Sequence, residues 1–324
     1  QDTSSRSRGG RKGWHDAEVE LDQFAGQRIT ISLVTRGREM KRSPSRALMR
    51  LPEAGMVWSH PRISGGRNPG RTVVLLVFDT VSARHTSLHG YERETTPHLA
   101  AIAKQGVTYR RAVAPSPWTL PSFASMLSGL EPAHHRAGER ASSNPADKRP
   151  LAARALTVAE RLRSEGWETR AWINNPYLTR AYGLHQGFST FIDYGTRSTE
   201  NASEAAVEDV VAHLSKPRSH DRFFFVHLMD PHGPYLPNQD FKERFLQRSR
   251  DGKIRGKQEF ALVRAVVMHQ LKLDAEERAA YRELNDAVLA YADSQLGRIY
   301  EAFRSTEEPG RSLMLVTADH GEEF

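Results

Sequence analysis

Carboxylate and imidazole side chains follow three apolar segments of the chain, at the point where each segment ends. Two carboxylates and an imidazole at neighbouring strand ends suit a divalent cation that accepts oxygen and nitrogen ligands, such as Mn²⁺ or Zn²⁺ or, less readily, Mg²⁺ or Ca²⁺. An aspartate at a strand end also commonly caps a turn, so position alone leaves both interpretations open. The residues are Asp79 after residues 73–78, Asp230 and His232 after residues 223–228, and Asp319 and His320 after residues 313–317.

A hydroxyl nucleophile is available at Thr119. Pro121 presets a first helical turn and Gly129 suits a helix end, which places Thr119 at the amino end of a short helix. A hydroxyl there lies at the positive end of the helix dipole, near unpaired N–H groups that can hold a tetrahedral anion. The alternative is that Thr119 or Ser122 only caps the helix. The chain contains no cysteine, which excludes a cysteine nucleophile, thiolate metal ligands and disulfides.

The elements that position these residues are predicted to alternate between strand and helix from residue 72 onward. Residues 73–78 form a continuous apolar run, which is typical of a strand buried on both faces. The order predicts an α/β fold with a mostly parallel sheet flanked by helices. Because ligands bind beyond the carboxyl ends of such strands, we expect the candidate residues to meet at one edge. The other predicted elements are strands at 169–173, 223–228 and 313–317, helices at 97–105, 204–214 and 274–303, and a helix from the capping box of Thr157 and Glu160 to Gly166.

The leading segment differs from the rest of the chain in charge and in period. Residues 1–71 carry 14 Lys and Arg against 7 Asp and Glu, whereas residues 72–324 carry 32 of each sign. Alternating apolar residues in this segment predict a fragment of a β-sandwich over residues 14–64. Residues 1–13 and 65–71 are predicted linkers. The basic residues at 36–50 either contact a polyanion or form a solvated loop.

The predicted α/β domain occupies residues 72–324. We expect it to be truncated at its C-terminal end, because residues 318–324 leave a polar turn without a closing element. The longest apolar run, at residues 73–78, is far shorter than the roughly 20 residues that span a bilayer.

From residue 72 to residue 324 the chain resembles the sulfatase family of the alkaline phosphatase superfamily. Five segments match that family in order. The resemblance implies an alkaline-phosphatase-like fold and implies that the ends of the first and last matched strands bind metal. The segments are residues 74–80, residues 96–99 with Gly106, residues 115–129, residues 227–235 with their His-Gly-Pro-Tyr motif, and residues 317–322.

Three departures from the family pattern bear on the reaction. Thr119 stands where sulfatases have the cysteine that is oxidised to formylglycine, Phe123 replaces the arginine of that motif, and Thr80 replaces a second aspartate. Threonine at this position resembles the phosphoryl-handling members of the superfamily, including glycerol-phosphate and phosphoethanolamine transferases, in which a metal-bound threonine is the nucleophile. A threonine sulfate ester would need direct displacement, whereas a threonine phosphoester can be cleared by metal-assisted attack at phosphorus.

We therefore predict a metal-dependent hydrolase or transferase that acts on phosphate or sulfate esters of a small molecule, a glycan or a lipid, and we expect no nucleic acid partner. One alternative is a sulfuric ester hydrolase without formylglycine, and another is a catalytically weakened homologue that binds polyanions. The resemblance implies a periplasmic, extracellular or membrane-attached protein. His227 lies inside its strand and is predicted to belong to the core or to support the site. The predicted roles are catalysis by Thr119 and His232, binding of one divalent ion (Mn²⁺, Zn²⁺, Ca²⁺ or Mg²⁺) by Asp79, Thr119, Asp319 and His320, and substrate binding by Trp118, His135 and Asp230.

Overall fold

A computed structural model of the chain describes residues 70–142, 144, 147–195, 201–216, 220–246, 272–306 and 310–322. The predicted linker at 1–13, the predicted β-sandwich fragment at 14–64 and the basic residues at 36–50 lie outside the described residues. The predicted domain boundary at 65–71 stays a prediction.

Five parallel strands form one sheet in the order β3-β2-β4-β1-β5. This arrangement confirms the predicted parallel sheet. The predicted strands at 73–78 and 223–228 are neighbours within the sheet. The predicted strand at 313–317 lies at one edge, where β5 pairs only with β1 among the described strands. The strands are β1 (Thr72–Phe78), β2 (Glu168–Ile173), β3 (Thr190–Asp193), β4 (Arg222–Leu228) and β5 (Ser312–Ala318).

Helices cover both faces of the sheet. The longest, α7, packs with α5 and α1 on one face, while α2 and α4 lie on the other. Among the described residues, no helix combines the length and the apolar character needed to cross a bilayer. The helices are α1 (Pro97–Ala103), α2 (Thr119–Ser128), α3 (Pro132–His135), α4 (Val158–Ser164), α5 (Glu204–Leu214), α6 (Gln239–Phe245) and α7 (Ala275–Thr306), with short 3-10 helices at Ala83–His85, Ser87–His89, Pro176–Leu178 and Arg180–Tyr182.

Strand β4 shows why the apolar runs form central strands. Successive side chains of a strand point to opposite faces, so a strand with helices on both faces needs apolar residues at nearly every position. Phe224 and Val226 join the cluster beneath α5 and α7, whereas Phe223 and Phe225 join the cluster beneath α2 and α4. The same period places His227 on the α2 side of the sheet, where its ring contacts Phe123.

Strand register brings the ends of β1, β4 and β5 level with one another. Phe78, the last residue of β1, pairs with Leu228 of β4 and with Ala318 of β5. The residues that follow these three positions therefore emerge side by side at one edge of the sheet. This is the edge at which parallel α/β sheets bind ligands.

Candidate active site

Three of the predicted metal ligands converge at this edge. Asp79, Asp319 and His320 each present one ligand atom, and these atoms lie within 4.8 Å of one another. Both carboxylates are completely buried. His320 Nε2 lies 3.3 Å from Asp319 Oδ2 and 4.0 Å from Asp79 Oδ1.

Each carboxylate has one anchored oxygen. Asp319 Oδ1 accepts hydrogen bonds from the backbone N–H groups of Thr80 (3.0 Å) and His320 (2.8 Å). Asp79 Oδ2 faces His227 Nε2 at 2.9 Å and accepts from Asn175 Nδ2 at 2.6 Å. These contacts determine which oxygen of each carboxylate remains to face His320.

The other oxygen of each carboxylate lacks a hydrogen-bond partner among the described residues. These atoms, Asp79 Oδ1 and Asp319 Oδ2, are buried and are the carboxylate oxygens near His320. An unsatisfied buried anionic oxygen is costly, and two of them beside an imidazole repel each other unless a cation lies between them. The donor set of carboxylate oxygens and an imidazole nitrogen therefore fits a divalent metal ion.

Thr119 joins the cluster from the amino end of α2. It is the first residue of the helix, is 4% exposed, and its Oγ1 lies 3.5 Å from His320 Nε2. Trp118 holds the N-cap position without a side-chain cap, and Ser122 Oγ donates instead to the Asp319 carbonyl at 2.6 Å. A capping role for Thr119 or Ser122, the alternative open from sequence, is thus not what the structure shows.

Helix α2 is held at this position by its own sequence. Proline is tolerated in the first turn because an N–H is not required there, so Pro121 does not interrupt the helix. Gly129 ends the helix with a positive φ of 70° and donates its N–H to the Ser125 carbonyl at 2.8 Å. The hydrogen bond from Ser122 to the residue that follows β5 then ties the first turn to the carboxylate edge.

Thr80 adopts a backbone conformation that is rare for a branched residue. Its φ is +59°, in the left-handed region. This conformation directs the Thr80 N–H to Asp319, and the Thr80 hydroxyl donates to the Pro231 carbonyl at 3.3 Å. Strain of this kind is retained where the surrounding structure requires it, and here it fixes Asp319 and the loop that carries His232.

The pKa values of the two carboxylates are shifted in opposite directions. Burial acts to raise the pKa of Asp79, but the hydrogen bond and charge of His227 outweigh it and the pKa lies below its usual range. Burial and the neighbouring Asp79 charge raise the pKa of Asp319 to about 6. Neighbouring carboxylates whose pKa values are shifted apart in this way are characteristic of functional sites.

His232 lies next to the cluster without joining the group of ligand atoms. Its Nδ1 donates to the Gly233 carbonyl at 2.5 Å, so Nε2 is the nitrogen available to a substrate. Burial acts to lower the pKa of His232, but the charge of Asp79 and the Gly233 hydrogen bond prevail and raise it. His232 also lines a cavity with Asn174, Asp230 and Tyr291.

The three residues predicted to bind substrate occupy different surroundings. Asp230 lines the cavity beside His232 and accepts the Ser203 backbone N–H at 3.2 Å, and burial raises its pKa. Trp118 packs edge to face with Tyr177 and lines a surface groove. His135 is buried, with Nε2 at 2.9 Å from Ser125 Oγ and Nδ1 accepting from the Ala137 N–H, so both ring nitrogens are engaged within the protein.

Sequence reasoning omitted Asn174 and Asn175. They follow β2 just as Asp79 follows β1, and Asn175 bonds Asp79 directly. The rule that ligands gather at the carboxyl ends of parallel strands would have identified them, because β2 is adjacent to β4 in the sheet. A second omission is Glu322, which accepts the Tyr235 hydroxyl at 3.2 Å.

Known proteins share the sequence pattern and the fold of this region. The profile of the Sulfatase family matches residues 71–324. Phosphoethanolamine transferase EptC of Escherichia coli O18:K1:H7 (strain RS218 / NMEC) is 24% identical over 266 residues, which is 79% of this chain and 40% of that protein.

Two solved structures share the fold. The phosphonate monoester hydrolase of Agrobacterium radiobacter superposes with a TM-score of 0.59 at 20% identity, over 79% of this chain and 63% of that chain. The C-terminal periplasmic domain of EcEptC from Escherichia coli, in complex with Zn, superposes with a TM-score of 0.56 at 19% identity, over 81% of this chain and 66% of that chain. The chain therefore spans less than two thirds of the length of each of these three relatives.

The parallel sheet, the motifs at its strand ends and the family profile lead to one assignment. The profile covers the whole described α/β region, including both carboxylates and Thr119. The chain belongs to the Sulfatase family.

Proposed function

We propose that this chain carries the active site of a metal-dependent hydrolase or transferase that cleaves phosphate esters, with Thr119 as the nucleophile. The observation that supports the proposal is the pair of buried oxygens, Asp79 Oδ1 and Asp319 Oδ2, that lie beside His320 and lack hydrogen-bond partners among the described residues. Asp79, Asp319, His320 and Thr119 would hold one divalent ion.

A bound divalent cation supplies Lewis acidity, which lowers the pKa of a nearby hydroxyl and offsets negative charge on the substrate. The imidazole of His320 in the donor set favours Zn²⁺ or Mn²⁺ over Mg²⁺ or Ca²⁺. The zinc complex of the EcEptC domain supports Zn²⁺ as the first ion to test.

Thr119 acts as the nucleophile, and His232 acts as the general acid and base. Thr119 Oγ1, after its proton has left to solvent, attacks phosphorus in line with the leaving oxygen. The bond from Oγ1 to phosphorus forms, the bond to the leaving oxygen breaks, and His232 Nε2 donates a proton to that oxygen. In the second half, His232 accepts a proton from water or from an acceptor alcohol, whose oxygen attacks phosphorus and releases Thr119. Water makes the reaction a hydrolysis and an alcohol makes it a transfer.

Phosphate is favoured over sulfate on mechanism. A formylglycine sulfatase releases sulfate when its hydrated aldehyde collapses, but a threonine ester has no such route. The relatives that act as a phosphoethanolamine transferase and a phosphonate monoester hydrolase support phosphorus chemistry. The sulfatase profile supports a second candidate, a sulfuric ester hydrolase that uses threonine directly.

The organic part of the substrate is proposed to be a small molecule, a glycan or a lipid headgroup. It would lie in the cavity lined by His232, Asp230 and Asn174, on the side where the leaving oxygen meets His232 Nε2. A periplasmic location is proposed from the EcEptC domain, which is described as periplasmic.

The proposal is tested with an aryl phosphate diester, an aryl phosphate monoester and an aryl sulfate. The intact protein is treated with a chelator and then supplied with Zn²⁺, Mn²⁺, Mg²⁺ or Ca²⁺ separately. We expect phosphate ester cleavage that requires added metal and is lost in Asp319→Asn. Cleavage of the aryl sulfate alone would favour the second candidate, and equal activity after complete metal removal would contradict the proposed metal centre.

A further inference from the structure

We propose that Asn174 and His227 form a positioning pair that determines which oxygen of Asp79 faces the cation. The proposal rests on the cation site of the proposed function and adds two residues that do not themselves bind the ion. Asn174 and His227 are both buried, at 2% and 0% exposure.

Polar contacts connect the loop after β2 to the carboxylate through His227, whose two ring nitrogens each face an oxygen. Asn174 Nδ2 donates to the Ala202 carbonyl at 3.3 Å, which leaves Asn174 Oδ1 to accept from His227 Nδ1 at 3.0 Å. On the other side of the ring, His227 Nε2 lies 2.9 Å from Asp79 Oδ2. The imidazole is thus oriented by an amide at one nitrogen and orients a carboxylate at the other.

Packing prevents the ring from turning away. His227 lies within β4 and contacts the Phe123 ring of α2 edge to face, with centroids 5.4 Å apart. A half-turn of the imidazole would place carbon atoms opposite both oxygens and lose both hydrogen bonds, which is costly in a buried position. The orientation of the ring therefore sets the orientation of Asp79.

The two carboxylates of the site differ in how they are held. Asp319 Oδ1 is held by the backbone N–H groups of Thr80 and His320, which remain when a side chain is substituted. Asp79 Oδ2 is held only by side chains among the described residues, those of His227 and Asn175. Substitution of His227 should therefore loosen Asp79 selectively and weaken metal binding, since hydrogen-bond partners of metal ligands typically contribute about 10- to 100-fold in affinity.

The experiment measures Zn²⁺ affinity by competition with a chromogenic chelator, on the intact protein. The variants are His227→Phe, which keeps a ring but removes both hydrogen bonds, His227→Gln, which can still reach Asp79 with an N–H, and Asn174→Ala. His213→Phe is the matched control, because His213 also pairs with a carboxylate, Asp209, and packs edge to face on Trp172 at 5.4 Å, but on the other face of the sheet from Phe123 and His227. Thermal melts of the metal-free variants accompany each titration.

We expect His227→Phe to weaken Zn²⁺ binding by about 10- to 100-fold, His227→Gln to recover part of that loss, and Asn174→Ala to lose a smaller factor. The effects of Asn174→Ala and His227→Phe should be non-additive when combined, because both act through one orientation of Asp79. His213→Phe should change the affinity by less than about twofold while lowering the melting temperature.

Each contrary outcome has a distinct meaning. Zn²⁺ binding that is unchanged in His227→Phe and in Asn174→Ala overturns the positioning pair and leaves the proposed metal centre intact. Absence of both Zn²⁺ and Mn²⁺ binding by the unaltered protein overturns both proposals. If His227→Phe does not fold, Asn174→Ala decides, because it removes a hydrogen bond without disturbing the ring, and unchanged affinity in that variant contradicts the proposal.

Discussion

The two oxygens of each carboxylate in the site have different roles. One oxygen of Asp79 and one of Asp319 are held by hydrogen bonds, and the other oxygen of each is left beside His320. A hydrogen bond to one oxygen fixes the direction of the other oxygen and leaves that second oxygen free of hydrogen bonds within the described residues. Under the proposed function, a cation would meet ligands that need little rearrangement, which is the condition for strong electrostatic catalysis.

Substitution of Thr119 tests whether this residue is the nucleophile. Thr119→Ala removes the attacking oxygen, and we expect kcat/KM for a phosphate diester to fall by about three orders of magnitude or more. Thr119→Ser retains the hydroxyl and loses only a methyl group, so it should retain measurable turnover. Zn²⁺ titration of both variants shows whether the metal site survives. Near-normal activity in Thr119→Ala would mean that the metal activates water directly.

The sequence predicts the roles of some residues of the site but not of others. Asp79, Asp319 and His320 follow apolar runs, which makes them candidate ligands, and the resemblance to the sulfatase family adds the prediction that they bind metal. The positions of Asn174 and Asn175 after β2 follow the same strand-end rule. Their hydrogen bonds, and that of His227 to Asp79, join residues 53 to 148 positions apart, and no local pattern encodes these pairings. The left-handed backbone of Thr80 was also unpredictable, because threonine rarely adopts it.

At the scale of elements, strand ends are what assemble the site. The central strands were predicted because they are apolar throughout, and the capping box of α4 was predicted because threonine and glutamate occur three residues apart. Strand β3 was not predicted. It has four residues, none of them fully buried, so its apolar pattern is too short to stand out. Its place in the sheet comes from pairing with β2.

Asp209 of α5 also contacts β2 and the residue that follows β3. From these contacts we predict that stability depends on pH. Its carboxylate lies 3.2 Å from His213 Nδ1 within α5 and accepts from Trp172 Nε1 of β2 at 2.8 Å and from the Tyr194 hydroxyl after β3 at 3.1 Å. The hydrogen bond to His213, with those from Trp172 and Tyr194, lowers the pKa of Asp209 to about 2 despite partial burial. A depressed pKa contributes stability above the unfolded value near 4, and this contribution is lost as pH falls toward 2.

We therefore expect Asp209→Asn to lower the free energy of unfolding by about 1 kcal/mol at neutral pH, an amount that allows for solvent screening. The difference from the unaltered protein should shrink between about pH 4 and pH 2. Urea unfolding at a series of pH values measures it. Glu208→Gln, an exposed neighbour on the same helix, is the control and should show a much smaller difference. A constant difference down to pH 2 would contradict the assigned role.

At the scale of the whole molecule, the proposed metal site depends on folding. The sheet brings Asp79 and Asp319 together from positions 240 residues apart, so the carboxylates lie close to each other only in the folded chain. The pKa of Asp319, raised to about 6 by burial and by the Asp79 charge, means that the metal-free folded protein favours a protonated Asp319 below about pH 6. Stability from this group is full below about pH 4 and is lost as pH rises through about 6.

The melting temperature of the metal-free protein should therefore fall between pH 5 and pH 7. Saturating Zn²⁺ should reverse the loss, since a ligand at 100 times its Kd adds about 2.7 kcal/mol to the folded state. The gain should be smaller at pH 5, where protons compete for Asp319. Calorimetry with and without chelator measures both effects. Asp319→Asn should flatten the metal-free pH profile, and an undiminished gain from Zn²⁺ in that variant would exclude Asp319 as a ligand.

The most direct measurement of the central claim is the mass of the Thr119 peptide during turnover. The intact, metal-loaded protein is mixed with a phosphate diester, quenched in acid within the first turnovers, digested and analysed by mass spectrometry. We predict a phosphoryl-type mass on the peptide that contains Thr119, absent from Thr119→Ala and absent after an aryl sulfate. Rapid cleavage of the diester with an unmodified Thr119 peptide at every quench time would contradict nucleophilic attack by Thr119.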